Sequence, residues 1–177
     1  FLQEVRCTSD DVRALRRDVA SLGYGMSHLS DRGGGPNGVV ALFRKATTRM
    51  VRHARVCERA LGIIVQHRGD ACERAYVGVH GVHCDSGFKK QRQAIASWLD
   101  ARGGGVAIGD WNAVIQRGWR EGAPMLTRRD EQTRAWAEHE PEARWAEAVA
   151  GGDYTRKPPR GARGGAAELD GAAARGG

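Results

Sequence analysis

The chain has 177 residues and a formal net charge of +7, from 28 Lys and Arg side chains against 21 Asp and Glu. This length suits one domain with a sizeable core, and no apolar run approaches the ~20 residues of a membrane-spanning helix. The positive charge permits a polyanionic partner without demonstrating one, because an arginine-rich composition also follows from GC-rich coding. Its four cysteines lack the paired spacing of a zinc ribbon or a disulfide framework.

The first half of the chain predicts a strand, a helix and then a run of strands. "FLQEV" is a short apolar run. Thr8 or Ser9 can cap the helix that follows, in which apolar residues recur at helical spacing from Val12 to Leu22. The turn-rich segment "DRGGGPNG" predicts a loop. Strands are predicted over residues 39–44, 49–56, 61–66 and 73–80.

The second half predicts a second helix and one more strand. "FKKQRQAIASWLDARGG" is amphipathic and ends in a glycine run, and the strand at Val106–Ile108 follows it. Residues 127–149 predict one or two helices, interrupted near Pro141. From Gly151 the composition predicts a tail that buries little and is partly disordered. We therefore expect an α/β domain over residues 1–150, and a tail over 151–177 that includes a degenerate last part of the domain.

Polar side chains follow the strand that ends near Asp110. Because residues two apart on a strand share a side, Asp110 and Asn112 should face together and Trp111 should point into packing. Taken alone, "GDWN" is more typical of a turn. Two other predicted strands end in the same way, one at Glu4 and one at His80 and His83. The grouping indicates a site that holds a metal ion or an attacking water.

Four stretches carry a family resemblance: "LQEVR", "GVVALFRK", "GVHCDSGFKKQRQAIASWL" and "GDWNAV". In this order and at these intervals they resemble the endonuclease/exonuclease/phosphatase superfamily. That superfamily includes pancreatic-type deoxyribonuclease, abasic-site endonucleases and the endonuclease domains of non-LTR retrotransposons. The resemblance covers residues 1–120 well and the rest loosely. It implies a four-layer α/β sandwich, in which two face-to-face sheets are flanked by helices.

The resemblance implies a role for each residue that matches the family's motifs. Glu4 matches the glutamate that binds Mg²⁺ or Mn²⁺. Asp110 matches the aspartate that orients or deprotonates the attacking water, and Asn112 matches its phosphate-contacting neighbour. These roles describe hydrolysis of a phosphodiester by metal-assisted in-line attack of water.

Three further positions complete the implied catalytic set. His83 matches a histidine that protonates the leaving oxygen, and Asp170 matches the carboxylate that orients a catalytic histidine. His80 stands where many relatives carry tyrosine. On a regular strand His80 and His83 would face opposite ways, so both reach the site only if Gly81 forms a bulge or the strand ends there.

The sequence also departs from the family's pattern. The asparagine-bearing strand expected before Glu4 and the closing Ser-Asp-His are absent, so we expect a domain truncated at both ends, with weak or no activity. The preferred substrate is DNA, as in the retroelement branch, where a reverse transcriptase would follow. Lys89, Lys90 and Arg92 are candidate contacts to the nucleic-acid backbone or, alternatively, a solvated helix face.

Two other functions stay open from the sequence. One is a lipid or inositol phosphatase or a deadenylase with the same fold, because fold does not fix substrate. The other is a non-catalytic, nucleic-acid-binding fragment of a decayed retroelement. In each case we expect a monomer without a membrane segment, located inside the cell and, for a retroelement endonuclease, in the nucleus.

Overall fold

The computed structural model describes residues 1–29, 38–82, 85–111, 145–149 and 170–175, the last two segments by their backbone. In this part of the chain nine strands and two helices follow one another as β1 (Leu2–Val5), α1 (Ser9–Ser21), β2 (Tyr24–Leu29), β3 (Gly38–Arg44), β4 (Thr48–Cys57), β5 (Ala60–His67), β6 (Glu73–His80), α2 (Asp85–Asp100), β7 (Gly105–Asp110), β8 (Trp145–Val149) and β9 (Asp170–Arg175). Neither helix is long and apolar enough to cross a membrane.

The strands form two sheets. The smaller sheet has the order β1-β3-β2 and is antiparallel throughout. The larger sheet has the order β4-β5-β6-β7-β9-β8, and within it only β6 and β7 run parallel. A parallel pair needs a crossover connection, and α2 supplies it by covering one face of the sheet between β6 and β7.

Three buried clusters show that the two sheets face each other between two helices. The layer between the sheets contains Val39 and Ala41 of β3 and Ile63 of β5. A second cluster joins Val19 of α1 to the outer face of the small sheet. A third joins α2 to the outer face of the large sheet through Phe88, Ile95 and Leu99. The order of layers is therefore helix, sheet, sheet, helix, which confirms the predicted four-layer sandwich.

Helix α2 ends where its glycines begin, as the sequence predicts. The Gly104 N–H donates to the Leu99 carbonyl at 3.0 Å, and both Gly103 and Gly104 have positive φ, which a residue without Cβ adopts at little cost. One turn earlier, the Trp98 ring covers Gly62 of β5, where any Cβ would overlap the ring. The helix therefore packs closely on the centre of the large sheet.

Three elements differ from the sequence-based expectation. Strand β2 was not predicted, because its short run "YGMSHL" mixes polar and apolar residues on both faces. Residues 145–149 were predicted to be helical, and that prediction is wrong, because they pair with β9 and ladder bonding overrides local helix propensity. Within the predicted tail, residues 170–175 form β9 in the large sheet. The rest of the predicted helical region, 127–144, lies outside the described residues.

Helix α1 starts with a capping box that has a titratable member. The Asp11 N–H donates to the Thr8 hydroxyl at 3.2 Å, and the Thr8 N–H donates back to the Asp11 carboxylate at 2.8 Å. The hydroxyl also donates to the carboxylate at 2.7 Å. Side-chain and backbone hydrogen bonds from Thr8 together hold the pKa of Asp11 below its usual 3.8. The box satisfies N–H groups that the first helical turn would otherwise leave unpaired.

We expect Thr8→Ala to lower the free energy of unfolding by about 1 kcal/mol at neutral pH, because it removes the cap. The folded-state pKa of Asp11 is depressed, so its contribution is present above pH 3.8 and is lost as the pH falls through the folded value. The difference in the free energy of unfolding between wild type and Thr8→Ala, measured by urea titration, should therefore become smaller below pH 3.8. Ser97→Ala, at an exposed position of α2, is the control and should show no such narrowing. A difference in unfolding free energy that stays constant down to pH 2 would contradict this role of the Asp11 carboxylate.

Candidate metal centre

Three side chains from three strands meet at one end of the sandwich. Glu4 lies on β1 of the small sheet, and His80 and Asp110 are the last residues of β6 and β7 in the large sheet. Each offers a ligand atom, and these atoms all lie within 4.8 Å of one another. The Nε2 of His80 is 3.4 Å from the Oε1 of Glu4. The site therefore lies between the sheets rather than on one of them.

Register explains why His80 and Asp110 share a face. The two residues are direct partners in the parallel pair of β6 and β7, and partners across neighbouring strands project to the same side. Two residues before His80, Gly78 faces the layer between the sheets and is covered by the Phe1 ring. Alternation then turns His80 to that same inner side. Trp111 packs in the outer cluster with α2, as predicted from its position one residue after Asp110.

Glu4 reaches the site only because its strand is irregular. The pairing of β1 with β3 shifts between Leu2 and Val5, and Glu4 has a φ of 54°, the only positive φ among the non-glycine residues described. On a regular strand Glu4 would project with Leu2, whose partner Val40 lies in the outer cluster under α1. The irregularity instead brings the carboxylate to His80. Left-handed backbone costs a non-glycine residue about 1–2 kcal/mol, which makes this residue locally strained.

Backbone hydrogen bonds hold the strand ends of the site in place. The His80 N–H donates to the Arg59 carbonyl at 2.9 Å, and the Gly81 N–H donates to the Asp110 carbonyl at 2.6 Å. Gly81 must be glycine here, because any Cβ would overlap the Trp111 backbone. The strand β6 ends at His80, which is the alternative to a bulge that the sequence left open.

The buried side chain of Gln91, on α2, fixes the segment that follows His80. Its Nε2 donates to the His80 carbonyl at 3.0 Å, and its Oε1 accepts from the Val82 N–H at 3.1 Å. Gln91 is 3% exposed, and its bond to the His80 carbonyl is shielded from water. Gln91 was not predicted as a site residue from the sequence. A glutamine on the apolar face of an amphipathic helix was the signal that could have identified it.

The structure tests the positions of the other predicted site residues only in part. His83 and Asn112 lie outside the described residues. Asp170 begins β9, and its Cα is the direct partner of Asp110 across the pair of β7 and β9. Its backbone is therefore at the same end of the large sheet as the three residues that meet there.

The predicted basic contacts on α2 do not share one environment. Lys89 and Lys90 are exposed. Arg92 is only 6% exposed, and its guanidinium lies over the Phe88 ring with the carbon 4.9 Å from the ring centre. Because that guanidinium is packed inside the protein, only the two lysines present a surface to a nucleic-acid backbone.

The three ligand groups fit a small divalent cation. Mg²⁺ binds oxygen ligands at about 2.0–2.1 Å in an octahedron, so adjacent ligands are ~3 Å apart and opposite ones ~4.2 Å apart. The ligand atoms of Glu4, His80 and Asp110, all within 4.8 Å of one another, suit a shared ion after small side-chain movements. Two carboxylates favour Mg²⁺ or Mn²⁺, and an imidazole ligand would favour Mn²⁺ over Mg²⁺.

No protein-family model and no curated protein matches the chain. Solved structures do match it. A 3′ phosphatase from Neisseria, NExo, bound to a product DNA hairpin, has a TM-score of 0.66 at 13% identity, covering 96% of this chain and 73% of that one. The endonuclease domain of TRAS1, a telomere-specific non-LTR retrotransposon, gives 0.59 at 15% identity, with 92% and 77% covered.

A third similar structure is that of ANGEL2, a 2′,3′-cyclic phosphatase. Its TM-score is 0.53 at 16% identity, and the match covers 77% of this chain but only 42% of ANGEL2. The present chain thus spans about two fifths of the length of that relative. All three neighbours have the endonuclease/exonuclease/phosphatase fold, and the chain has the same fold. The resemblance in the sequence motifs is confirmed at the level of fold.

Because of the strained backbone at Glu4, we expect the effects of valine and glycine at this position to be the reverse of ordinary strand propensity. Valine normally stabilises a strand relative to glycine, but a β-branched residue does not tolerate a φ of 54°. We expect Glu4→Gly to unfold at a higher urea concentration than Glu4→Val, with a difference of about 1–2 kcal/mol. At Gln3, the neighbouring position without positive φ, the same pair of substitutions should rank in the opposite order. Valine more stable than glycine at position 4 would show that Glu4 is on a regular strand.

Proposed function

We propose that the chain is a divalent-metal-dependent phosphodiesterase domain that acts on nucleic acid, with DNA as the preferred substrate. One observation carries the proposal: Glu4, His80 and Asp110, distant in sequence and drawn from both sheets, present ligand atoms within 4.8 Å of one another. The fold shared with a 3′ phosphatase, an endonuclease and a cyclic phosphatase supports a reaction at a phosphate ester.

Each residue would have a distinct task in hydrolysis. A bound Mg²⁺ or Mn²⁺ would neutralise charge on the phosphate and lower the pKa of a coordinated water. Glu4 would hold that ion from the small sheet. Asp110 would orient a water for in-line attack and accept its proton. These groups would stabilise the transition state because they are held in position before the reaction begins. The backbone hydrogen bonds of His80 and Gly81 fix the strand ends that carry them.

In this scheme His80 would offer a ligand atom and would also restrict the orientation of Glu4. It is 1% exposed, and its Nε2 lies 3.4 Å from the Glu4 carboxylate. Since the Glu4 side chain itself is 64% exposed, the buried imidazole limits the directions in which the carboxylate can point. His83, Asn112 and Asp170 keep the roles of proton donor, phosphate contact and histidine-orienting carboxylate as proposals from the family resemblance.

Charge favours an anionic substrate such as nucleic acid, and similarity to two solved structures favours DNA. A net charge of +7 favours a polyanion over a zwitterionic or neutral substrate. The NExo structure contains a DNA hairpin, and TRAS1 is an endonuclease. Inositol phosphates, lipids and poly(A) remain alternative substrates for the test, since a fold does not fix its substrate.

The first test measures metal binding without requiring activity. We expect Mn²⁺ or Mg²⁺ to raise the thermal midpoint, because an ion that binds only the folded state stabilises it by about 2.7 kcal/mol at 100 times its Kd. Glu4→Gln and Asp110→Asn should each remove most of this shift. Glu73→Gln, an exposed acid at the opposite end of β6 from His80, should retain it. A shift that persists in both site variants would place the ion elsewhere.

The second test measures cleavage. With Mn²⁺ or Mg²⁺ the chain should nick supercoiled plasmid at a low rate. Asp110→Asn or EDTA should reduce that rate by at least about 10²-fold, as expected when a group that prepares the nucleophile is lost. Poly(A) and a phosphoinositide should be hydrolysed more slowly than DNA. Metal-independent binding of DNA with no cleavage of any of these substrates would instead support a non-catalytic, nucleic-acid-binding fragment.

A further inference from the structure

A second candidate site lies at the end of the sandwich away from the metal centre. A cleft of about 590 Å³ opens between the two sheets, where β3 ends, β4 begins and β5 turns toward β6. Its lining is Phe43, Lys45, Thr48, Arg49, Met50, Gln66, His67, Arg68, Gly69 and Asp70. Strand β5 begins next to Arg59, whose carbonyl accepts the His80 N–H at the metal centre. It then extends eight residues to this cleft. At ~3.3 Å per residue the two sites are roughly 23 Å apart.

The rim of the cleft is cationic. Lys45, Arg49 and Arg68 are exposed and line it, against a single carboxylate, Asp70. That carboxylate is already engaged, since it accepts the Cys72 N–H at 2.9 Å and the Arg74 guanidinium at 2.8 Å. These bonds hold the pKa of Asp70 below its usual value, and they direct its charge toward Arg74. The three rim cations therefore outweigh the one acid.

Hydrogen bonds hold the polar groups of the cleft in fixed positions. An Nη of Arg49 donates to the Gln66 side-chain oxygen at 2.8 Å, which uses one of the five N–H donors of the guanidinium. Gln66 is held in turn by the Asp70 carbonyl at 3.1 Å. The Thr48 hydroxyl, which is 8% exposed, bonds with the His67 Nδ1 at 3.2 Å. Such oriented donors beside fixed positive charge suit phosphate oxygens.

Two arginines of β4 extend the positive surface from the cleft along the sheet edge. Strand β4 lies at the edge of the large sheet, and Arg49 and Arg52 are both exposed on it. They share one face of the sheet, because they pair with Gln66 and Ile64 of β5. Arg52 lies between Arg49 and the β4–β5 turn, whose Arg59 carbonyl accepts the His80 N–H. Charged residues on an edge strand also prevent another chain from pairing with that edge. That role alone explains neither the cleft nor the hydrogen bond that orients Arg49 in it.

We infer that this cleft, with Arg49 and Arg52 of β4, binds the phosphodiester backbone of the nucleic acid whose cleavage is proposed above, about 23 Å from the metal centre. The inference rests on the proposed function for the identity of the polymer. A duplex rises 3.4 Å per base pair, so the two sites are about seven base pairs apart. The cleft contacts phosphates and not bases, so it should bind without sequence preference.

The test is equilibrium binding of a 20-base-pair duplex in EDTA, where cleavage does not occur. We expect Lys45→Glu/Arg68→Glu to weaken binding at least tenfold and to reduce the slope of log K against log salt by about 2, since each phosphate contact contributes ~0.9. Arg16→Glu/Arg17→Glu is the matched control, because it changes the net charge equally on exposed positions of α1. The control should keep the wild-type slope.

Several outcomes separate this inference from the proposed function. If Lys45→Glu/Arg68→Glu (the cleft variant) and the α1 control bind the duplex equally well, the inference is wrong, whatever the cleavage assay shows. If Asp110→Asn abolishes cleavage and retains EDTA binding while the cleft variant loses binding, both proposals stand. Loss of binding without any cleavage by wild type supports the cleft and rejects the enzyme. If Lys45→Glu/Arg68→Glu does not fold, Lys45→Gln/Arg68→Gln should give a smaller loss of affinity and a smaller reduction of the salt slope.

Inorganic phosphate distinguishes a polymer site from a site for a small anion. At equal ionic strength, phosphate and chloride should reduce duplex binding to similar extents, because several spaced phosphates are engaged at once. Selective displacement by millimolar phosphate, abolished in the cleft variant, would show that the cleft binds a free phosphate group and would overturn the assignment to a nucleic-acid backbone.

Discussion

The close approach of β1 to β6 is the constraint on which the site depends. Facing sheets normally pack about 10 Å apart, too far for short side chains from both to share one small ion. Here the Phe1 ring occupies the space that a side chain at Gly78 would fill, and the Gln3 amide lies beside Gly109 in the same way. The two glycines let β1 settle onto the ends of β6 and β7, which brings Glu4 to His80 and Asp110.

That approach has an electrostatic consequence. Two carboxylates directed at a common point repel each other, and a divalent cation between them removes the repulsion. His80 is buried beside Glu4, whereas Glu4 itself remains mostly in contact with water. The small sheet therefore contributes an exposed, strained ligand, and the large sheet contributes the buried His80 and the half-buried Asp110. We interpret the positive φ at Glu4 as a cost in stability that the metal site requires.

Much of the architecture follows from the sequence, because its signals are local. The capping box at Thr8, the amphipathic faces of α1 and α2 and the glycine stop at Gly103 all reflect interactions within a few residues. Strand β2 was missed because its pairing with β3 comes from tertiary contact and not from alternation of its own residues. Residues 145–149 were assigned to a helix for the same reason, since their strand exists through its pairing with β9.

The site was predictable in composition but not in geometry. Strand ends rich in Asp, Glu and His identified Glu4, His80 and Asp110, and family resemblance placed them together. Alternation alone would have sent Glu4 to the outer face, because the irregularity of β1 leaves no pattern in "LQEV". Helical periodicity marks Gln91 as a polar residue on the apolar face of α2, but it does not reveal the two backbone groups of another segment that Gln91 binds. Long-range positioning of this kind depends on how elements dock, and docking is not encoded in any short window.

Charge on this sandwich is arranged differently at its two ends, and the difference bears on what the fold can bind. At the metal centre, acidic groups from both sheets converge, which favours a cation and disfavours an anion until that cation is bound. At the other end, three exposed cations surround one engaged acid. A short phosphate ester would gain from one end only. A polymer that reaches both ends would be attracted by the arginines of β4 before any metal is involved, so its binding would survive EDTA while its cleavage would not.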